Sequence, residues 1–127
     1  MAAELSEKRH SQRVPLALPI NGKGIGKLLH SHSFQGKTQD VSYEGLCIKS
    51  DSVNGFKPGQ DIAFKTRLYP GDFLLKAQGR VCWINTMPDP DWPVNIGVKI
   101  THMHRYRLWV ERIENKIIEA VVGNTRQ

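Results

Sequence analysis

Cysteines, acidic residues and long apolar runs are all scarce in this chain of 127 residues. Its two cysteines, Cys47 and Cys82, lie in apolar, strand-like stretches, so we expect two reduced, buried packing residues and no disulfide framework. No apolar run is long enough to cross a bilayer, and the N-terminus lacks the apolar region of a signal peptide. We therefore expect a cytoplasmic protein without membrane insertion. Nucleophile elbow, zincin and Walker motifs are also missing, so we expect no enzyme and no bound metal.

The shortage of acidic residues gives the chain a formal net charge of +6, from 18 Lys and Arg against 12 Asp and Glu. Residues 1–50 contribute +3 of this, with seven basic and four acidic side chains, and the remainder contributes the other +3. A positive excess favours an anionic partner. Because the charge is spread evenly, a small anionic ligand is favoured over a long nucleic-acid track.

The apolar pattern predicts a mainly β fold that ends in a helix. Apolar residues alternate in short segments separated by Pro-Gly turns, and then switch to a spacing of three to four at Trp109, Ile113 and Ile117. A glycine suited to a helix C-terminus follows at Gly123. The expected strands cover 14–20, a hairpin over 25–43 with its tip within 30–36, and then 45–50, 61–69, 73–85 and 94–100, before a helix over 105–122. This order predicts a small antiparallel, six-stranded β-barrel of the split-barrel type with a C-terminal α-helix.

Glycines at positions 22, 24 and 26 could be mistaken for a phosphate-binding loop. No Lys-Ser or Lys-Thr follows them, and the surrounding pattern is not strand-then-helix. A bulged, strongly twisted strand is the better interpretation.

The segment from Asp40 to Gly45 combines a carboxylate, a hydroxyl and a glycine at the end of a predicted strand. Residues two apart on an extended backbone point to the same face, so Asp40 and Ser42 are expected to project together. A carboxylate only accepts hydrogen bonds, which suits the adjacent N–H donors on the Watson–Crick edge of guanine. Gly45 can adopt positive φ and would let a ligand approach the backbone closely. An ordinary polar turn would have the same residues.

Near the N-terminus, Arg9 and Arg13 form an Arg-x-x-x-Arg pair. The planar guanidinium offers a fork of donors that matches phosphate oxygens and also the O6 and N7 atoms of guanine. Two such forks and a carboxylate–hydroxyl pair could hold a guanine nucleotide by both edges. A solvated basic terminus is the ordinary alternative.

The two motifs together resemble the PilZ domain family, whose members bind cyclic di-GMP in bacteria. Arg9 and Arg13 match the family's Arg-x-x-x-Arg motif, and Asp40, Ser42 and Gly45 match its (Asp/Asn)-x-Ser-x-x-Gly motif. The segments 79–83 and 95–100 look like its fifth and sixth strands. The resemblance covers nearly the whole chain, from about residue 8 to the final helix.

The resemblance implies a non-catalytic receptor or effector for cyclic di-GMP, with no further cofactor. Arg9, Arg13, Asp40, Ser42 and Gly45 would then form the binding site. Lys8 could add a phosphate contact, and Trp83 matches a position where family members can place an aromatic ring beside the nucleotide. Trp83 could equally be a core residue.

These expectations divide the chain into a flexible N-terminal tail at 1–8, a binding domain at 9–123 and a C-terminal tail at 124–127. Residues 1–13 have no apolar period, so we expect the Arg-containing segment to become ordered when the ligand binds and to signal to a downstream protein of unknown identity. A small β-barrel that binds single-stranded nucleic acid is the alternative function, and it requires several aromatics on one sheet face. The pairs His30/His32 and His102/His104 have the spacing of zinc ligands, but no carboxylate or cysteine supports them.

Overall fold

The computed structural model describes residues 13–25, 33–51, 56–67 and 69–125. These residues form seven strands and one long helix. The elements are β1 (Val14–Pro15), β2 (Pro19–Ile25), β3 (Ser33–Val41), β4 (Gly45–Ser50), β5 (Asp61–Thr66), β6 (Leu75–Thr86), β7 (Val94–Met103) and α1 (Tyr106–Thr125).

Six of the strands close into an antiparallel barrel. The order around the barrel is β3-β2-β5-β6-β7-β4, and β4 pairs back to β3 to complete the circle. The two-residue β1 lies outside, paired to the end of β3. The predicted six-stranded barrel with a C-terminal helix is therefore confirmed, with one outer strand in addition. The tip of the first hairpin falls outside the described residues, although residues 33–36 of its predicted range already belong to β3.

Proline breaks the first predicted strand in two, giving β1 and β2. Thr38 spans the break from the neighbouring strand: its hydroxyl accepts a hydrogen bond from the Leu18 amide at 2.9 Å and donates one to the carbonyl of Leu16. Thr38 is only 1% exposed. Its two hydrogen bonds satisfy the Leu18 amide and the Leu16 carbonyl, which would otherwise lack a partner where the strand is broken.

Alternation along the strands sends one set of side chains into the barrel. In β6, Leu75, Ala77, Gly79 and Val81 are buried while the residues between them are exposed. The interior is filled by aliphatic and aromatic residues from all the strands, and the largest buried strand side chains are Phe34 and Phe64. This apolar interior supplies the main driving force for folding.

The strand pairing has three register shifts, one of which leaves Thr101 as an extra residue in β7. The other two interrupt the alternation in β3 and β6. Pairing of β3 with β4 shifts between Thr38 and Asp40, so Gln39 is the extra residue. Pairing of β6 with β7 shifts between Val81 and Trp83, which makes Cys82 the extra residue there. Cys82 is consequently exposed, and the prediction that it packs in the core is wrong. Cys47 is buried as predicted, and both thiols are free.

The bulge predicted in β2 is wrong, because that strand pairs with both neighbours without a register shift. Its glycine at position 22 instead allows close packing, since a Cβ there would lie 2.4 Å from the Ala63 carbonyl oxygen.

The helix α1 covers one end of the barrel. Trp109 and Ile113, both fully buried, are its main contacts with the core. The predicted start of the helix is correct to within one residue, but its predicted end is wrong. Gly123 lies within the helix, which continues to Thr125 and so enters the tail expected at 124–127. No helix among the described residues is both long and apolar enough to span a membrane.

Candidate functional site

The turn between β3 and β4 is built by Ser42 and Gly45. The Ser42 amide donates to the Gly45 carbonyl at 2.8 Å, and the Gly45 amide donates to the Ser42 hydroxyl at 3.1 Å. The hydroxyl also lies 3.2 Å from the Gly45 carbonyl. Ser42 is 2% exposed. Its hydroxyl is therefore engaged within the turn, where it fixes the backbone, and is not a free prong beside Asp40.

Gly45 is required by strand packing. Positive φ among the described glycines occurs at Gly59 and Gly71, so Gly45 does not use the positive φ that is open to a glycine. A Cβ at Gly45 would lie 2.5 Å from the carbonyl oxygen of Val98 on β7, well inside van der Waals contact. The glycine lets β4 and β7 come together directly beneath the site.

Arg13 and Asp40 form a salt bridge at the edge of this turn. Nη1 of Arg13 donates to Oδ1 of Asp40 at 2.5 Å, and the two side chains are 51% and 23% exposed. Arg13, expected in a tail that is free before ligand binding, is therefore already held next to the second motif. A guanidinium has five N–H donors, so one contact leaves most of its fork available.

The bulge at Gln39 turns Asp40 outward. Thr38 points into the core, so regular alternation would also point Asp40 inward. Instead the extra residue places Val41 in the core, fully buried, and leaves Asp40 partly exposed. Beneath it, burial and the Asp40 charge raise the pKa of the Cys47 thiol, which keeps that thiol protonated.

The second bulge turns Trp83 outward in the same way. Val81 is 1% exposed, whereas Trp83 is 39% exposed and lies on the outside of the barrel. Its indole ring covers the backbone of Gly97, where a Cβ would approach the ring atoms Cε2 and Nε1 to 2.2 Å. Trp83 is thus not a core residue, and glycine at position 97 is what allows the ring to lie against β7.

These residues surround one small recess of about 150 Å³. Arg13, Ser42, Gly45 and Trp83 all line it, and Asp40 adjoins it through its bond to Arg13. The remaining lining residues, which the sequence did not indicate, are Glu44, Cys82, Gly97, Val98 and Lys99. Pairing of Gly45 with Lys99 across β4 and β7 could have suggested Lys99, but only after the register was known. The recess joins a cation, a carboxylate and an exposed aromatic face.

The helix binds the backbone of the same turn. The indole N–H of Trp109 donates to the Ser42 carbonyl at 3.1 Å, and the Tyr106 hydroxyl donates to the Tyr43 carbonyl at 2.7 Å. Partial burial and the nearby charge of Glu44 raise the pKa of Tyr106, so its hydroxyl stays a donor. Sequence reasoning placed Trp109 in the core but gave no sign of either bond.

Other residues singled out from the sequence lie outside the described part of the chain or on another face of the barrel. Lys8 and Arg9 lie outside the described residues, as do His30 and His32. His102 and His104 are exposed on another face of the barrel. No cluster of metal-binding side chains occurs within the described part of the chain.

Comparison with known protein families identifies one family for this chain. The family model for the PilZ domain matches residues 7–116. No curated protein matches the chain significantly.

Solved structures similar to this fold include the Bacillus subtilis inhibitor of motility (MotI/DgrA), with a TM-score of 0.71 and 10% identity over 88% of this chain and 52% of that one. The chain thus spans about half the length of that protein. The PilZ domain of CeSA from a cellulose-synthesizing bacterium has a TM-score of 0.52 and 19% identity, over 91% of this chain and 99% of that one. The PilZ domain of YcgR from Escherichia coli, solved with c-di-GMP, has a TM-score of 0.54 and 15% identity, over 94% and 95% of the two chains.

Proposed function

Because the chain belongs to the PilZ domain family, we propose that it is a non-catalytic cytoplasmic receptor for cyclic di-GMP that binds at the recess between Arg13 and Trp83. The observation that carries this proposal is the meeting of both motifs there: Arg13 lies against Asp40, and Ser42 and Gly45 line the same recess as Trp83. The similar PilZ domain of YcgR was solved with this dinucleotide, which supports the choice of ligand.

Each side chain has a role that follows from its chemistry. The free donors of Arg13 would bind phosphate oxygens or the O6 and N7 atoms of a guanine. Asp40 would accept from the guanine N–H groups, and its salt bridge with Arg13 holds the carboxylate in place for that purpose. Trp83 would stack on a base. Ser42 and Gly45 would act by fixing the turn that carries Asp40.

The recess is smaller than the 300–1,000 Å³ typical of ligand sites, so it would hold one base while the rest of the dinucleotide lies on the surface. Lys8 and Arg9, which precede Arg13 by only a few residues, would cover that exposed part. Ordering of this segment costs roughly 1–2 kcal/mol per residue, offset by charge-assisted contacts to the phosphates. The ordered segment would present a new surface to a downstream protein.

Calorimetric titration with cyclic di-GMP, GTP and single-stranded RNA tests this function. Arg13→Ala should abolish most cyclic di-GMP binding, and Arg13→Lys should restore little, because lysine lacks the planar fork. Arg80→Ala is the matched control, since Arg80 also forms an exposed salt bridge, with Asp61 at 3.3 Å, but lies outside the recess. Equal losses in the two alanine variants, or tighter binding of RNA than of cyclic di-GMP, would refute the proposal.

Hydrogen exchange tests the ordering of the N-terminal segment separately. Amide protection at residues 8–12 should rise when cyclic di-GMP is added and should stay constant when GTP is added. Unchanged protection at saturation would refute the ordering step while leaving the binding site intact.

The alternative of a single-stranded nucleic-acid binder has less support. It requires several aromatic side chains on one sheet face beside a basic groove. On the described outer sheet face that carries Lys23, Lys65 and Lys76, the nearby rings of Phe34 and Phe64 are each only 2% exposed and point into the core.

A further inference from the structure

A second recess lies on the outer face of the barrel, away from Arg13 and Trp83. It has a volume of about 560 Å³, and five basic or titratable side chains line it: Lys23, Lys65, Lys76, His102 and His104. We call it the basic recess. None of the residues lining it, among those that the structure describes, is acidic.

Strand register explains why these side chains converge. Lys23, Ala63, Gln78 and His102 lie side by side across β2, β5, β6 and β7. Two residues along the strands, Lys65 lies directly opposite Lys76. The backbone amide of His104 donates a hydrogen bond to the Lys76 carbonyl. All the charged side chains in the two rows therefore leave the barrel on the same face.

This arrangement is unfavourable in the isolated protein. Like charges directly opposite on paired strands are destabilising, and Lys65 and Lys76 form such a pair with Lys23 diagonal to it. None of the three lysines forms a salt bridge with a carboxylate of the described residues. By contrast, Arg80, which lies on the other side of the Lys23 row, has Asp61 as its cross-strand partner. An uncompensated local conflict of this kind is expected where a bound partner supplies the opposite charge.

The floor of the basic recess is apolar and small. Ala63 lines it between the lysine stems on the outer face, next to the backbone of Gly22, while the side chains of Ala77, Phe34 and Phe64 are buried towards the barrel interior. Such a floor accommodates an aliphatic side chain, whereas a site for phosphate alone would need no apolar floor. None of the described residues that line the basic recess is an exposed aromatic. The recess therefore lacks the rings on which the bases of single-stranded nucleic acid stack.

We propose that the basic recess binds an extended acidic peptide segment of a partner protein. Side chains of an extended peptide alternate between two faces. Apolar residues of the segment would contact the floor, and its carboxylates would reach the three lysines at the rim. The proposal does not depend on cyclic di-GMP binding, since the basic recess shares no lining residue with the first one.

The test uses a synthetic probe, acetyl-Glu-Leu-Glu-Ala-Glu-Leu-Glu-amide, with a control peptide in which glutamine replaces every glutamate. Titration into the ¹⁵N-labelled full chain should shift the backbone amide signals of β2, β5 and β6 around the basic recess. The acidic peptide should bind at least about tenfold more tightly than the glutamine peptide, because the attraction is between charges.

Two charge-matched double variants locate the contact. Lys65→Gln with Lys76→Gln should weaken binding of the acidic probe roughly tenfold. Lys57→Gln with Arg107→Gln removes the same charge from exposed positions elsewhere and should leave the affinity unchanged. Both doubles should bind cyclic di-GMP as the parent does, so failure of this proposal is distinguishable from failure of the nucleotide site.

Four results would overturn the proposal. Equal weakening in the two doubles would show that only net charge matters. Absence of binding at millimolar acidic peptide, or amide shifts confined to the recess at Trp83, would show that the basic recess is not a peptide site. Preference for phosphatidylserine vesicles over the peptide, lost in the Lys65/Lys76 double, would assign the face to a membrane surface instead.

Discussion

Replacing Gly97 with alanine should weaken cyclic di-GMP binding by displacing Trp83, although Gly97 makes no side-chain contact of its own. The added Cβ would lie 2.2 Å from Cε2 and Nε1 of Trp83, and its three nearest neighbours all belong to that ring. Real Cβ atoms do not come so close, so the indole must move. Because Trp83 is 39% exposed and lies on the surface, it can swing away without opening the barrel.

The size of the effect follows from the proposed stacking of a base on Trp83. Base–aromatic stacking contributes about 1–3 kcal/mol, so losing it should weaken binding by about 5- to 150-fold. Trp83→Ala sets the upper limit for Gly97→Ala. The thermal stability of the Gly97 variant should fall only modestly, since the barrel interior is untouched.

A double-mutant cycle is the decisive assay. Calorimetry on the parent, Gly97→Ala, Trp83→Ala and the double variant should show strong non-additivity. In the Trp83→Ala background the clash is absent, and Gly97→Ala should change the affinity little. Circular dichroism and thermal unfolding of all four proteins control for the fold. Equal effects of Gly97→Ala in the two backgrounds would refute the role given to Trp83.

Three further predictions concern the turn and the helix. Gly45→Ala should lower the free energy of unfolding of the ligand-free protein by about 1–3 kcal/mol in urea titrations, because β4 cannot then approach β7. Unchanged stability together with weaker cyclic di-GMP binding would show instead that this glycine serves the ligand. Trp109→Phe should lower the free energy of unfolding by about 1–3 kcal/mol, since the Ser42 carbonyl loses its buried donor. It should also weaken cyclic di-GMP binding. A variant as stable as the parent would contradict the anchoring role of the helix. Asp72→Asn should destabilise the protein at pH 7, because Arg112 donates two hydrogen bonds to that carboxylate and lowers its pKa. A carboxylate with a lowered pKa in the folded state contributes stability that is present above about pH 4 and is lost as the pH falls further. The difference in melting temperature between parent and variant should therefore shrink below about pH 4. A difference that stayed constant with pH would argue against the salt bridge.

Much of the fold could be predicted from local pattern. The strand over Gly45–Ser50 is found with its predicted bounds, and the helix begins within one residue of the prediction. The helix was predicted because helical apolar spacing depends only on which face is buried. The strand is buried on both faces, and it was predicted because turn residues bound its short apolar run. The helix end failed because Gly123 was interpreted as a stop, whereas a glycine inside a helix costs only about 1 kcal/mol relative to alanine.

The candidate site was predicted in part. Resemblance identified Arg13, Asp40, Ser42, Gly45 and Trp83, and the structure brings them together. Sequence reasoning gave a wrong physical reason for Ser42, whose hydroxyl was expected to project beside Asp40 but closes the turn. It also did not foresee that Gly45 makes room for the Val98 carbonyl.

The sequence by itself therefore determined the class of fold, the order of its elements and the residue types available for a nucleotide. Only the tertiary structure decided which way those residues point. A regular strand would place Asp40 and Trp83 inside the barrel, and one extra residue in each strand, Gln39 and Cys82, turns them out. A bulge is defined by pairing with a second strand, so no single stretch of sequence contains it. The basic recess has the same origin, because its lysines come from three strands and meet only through register.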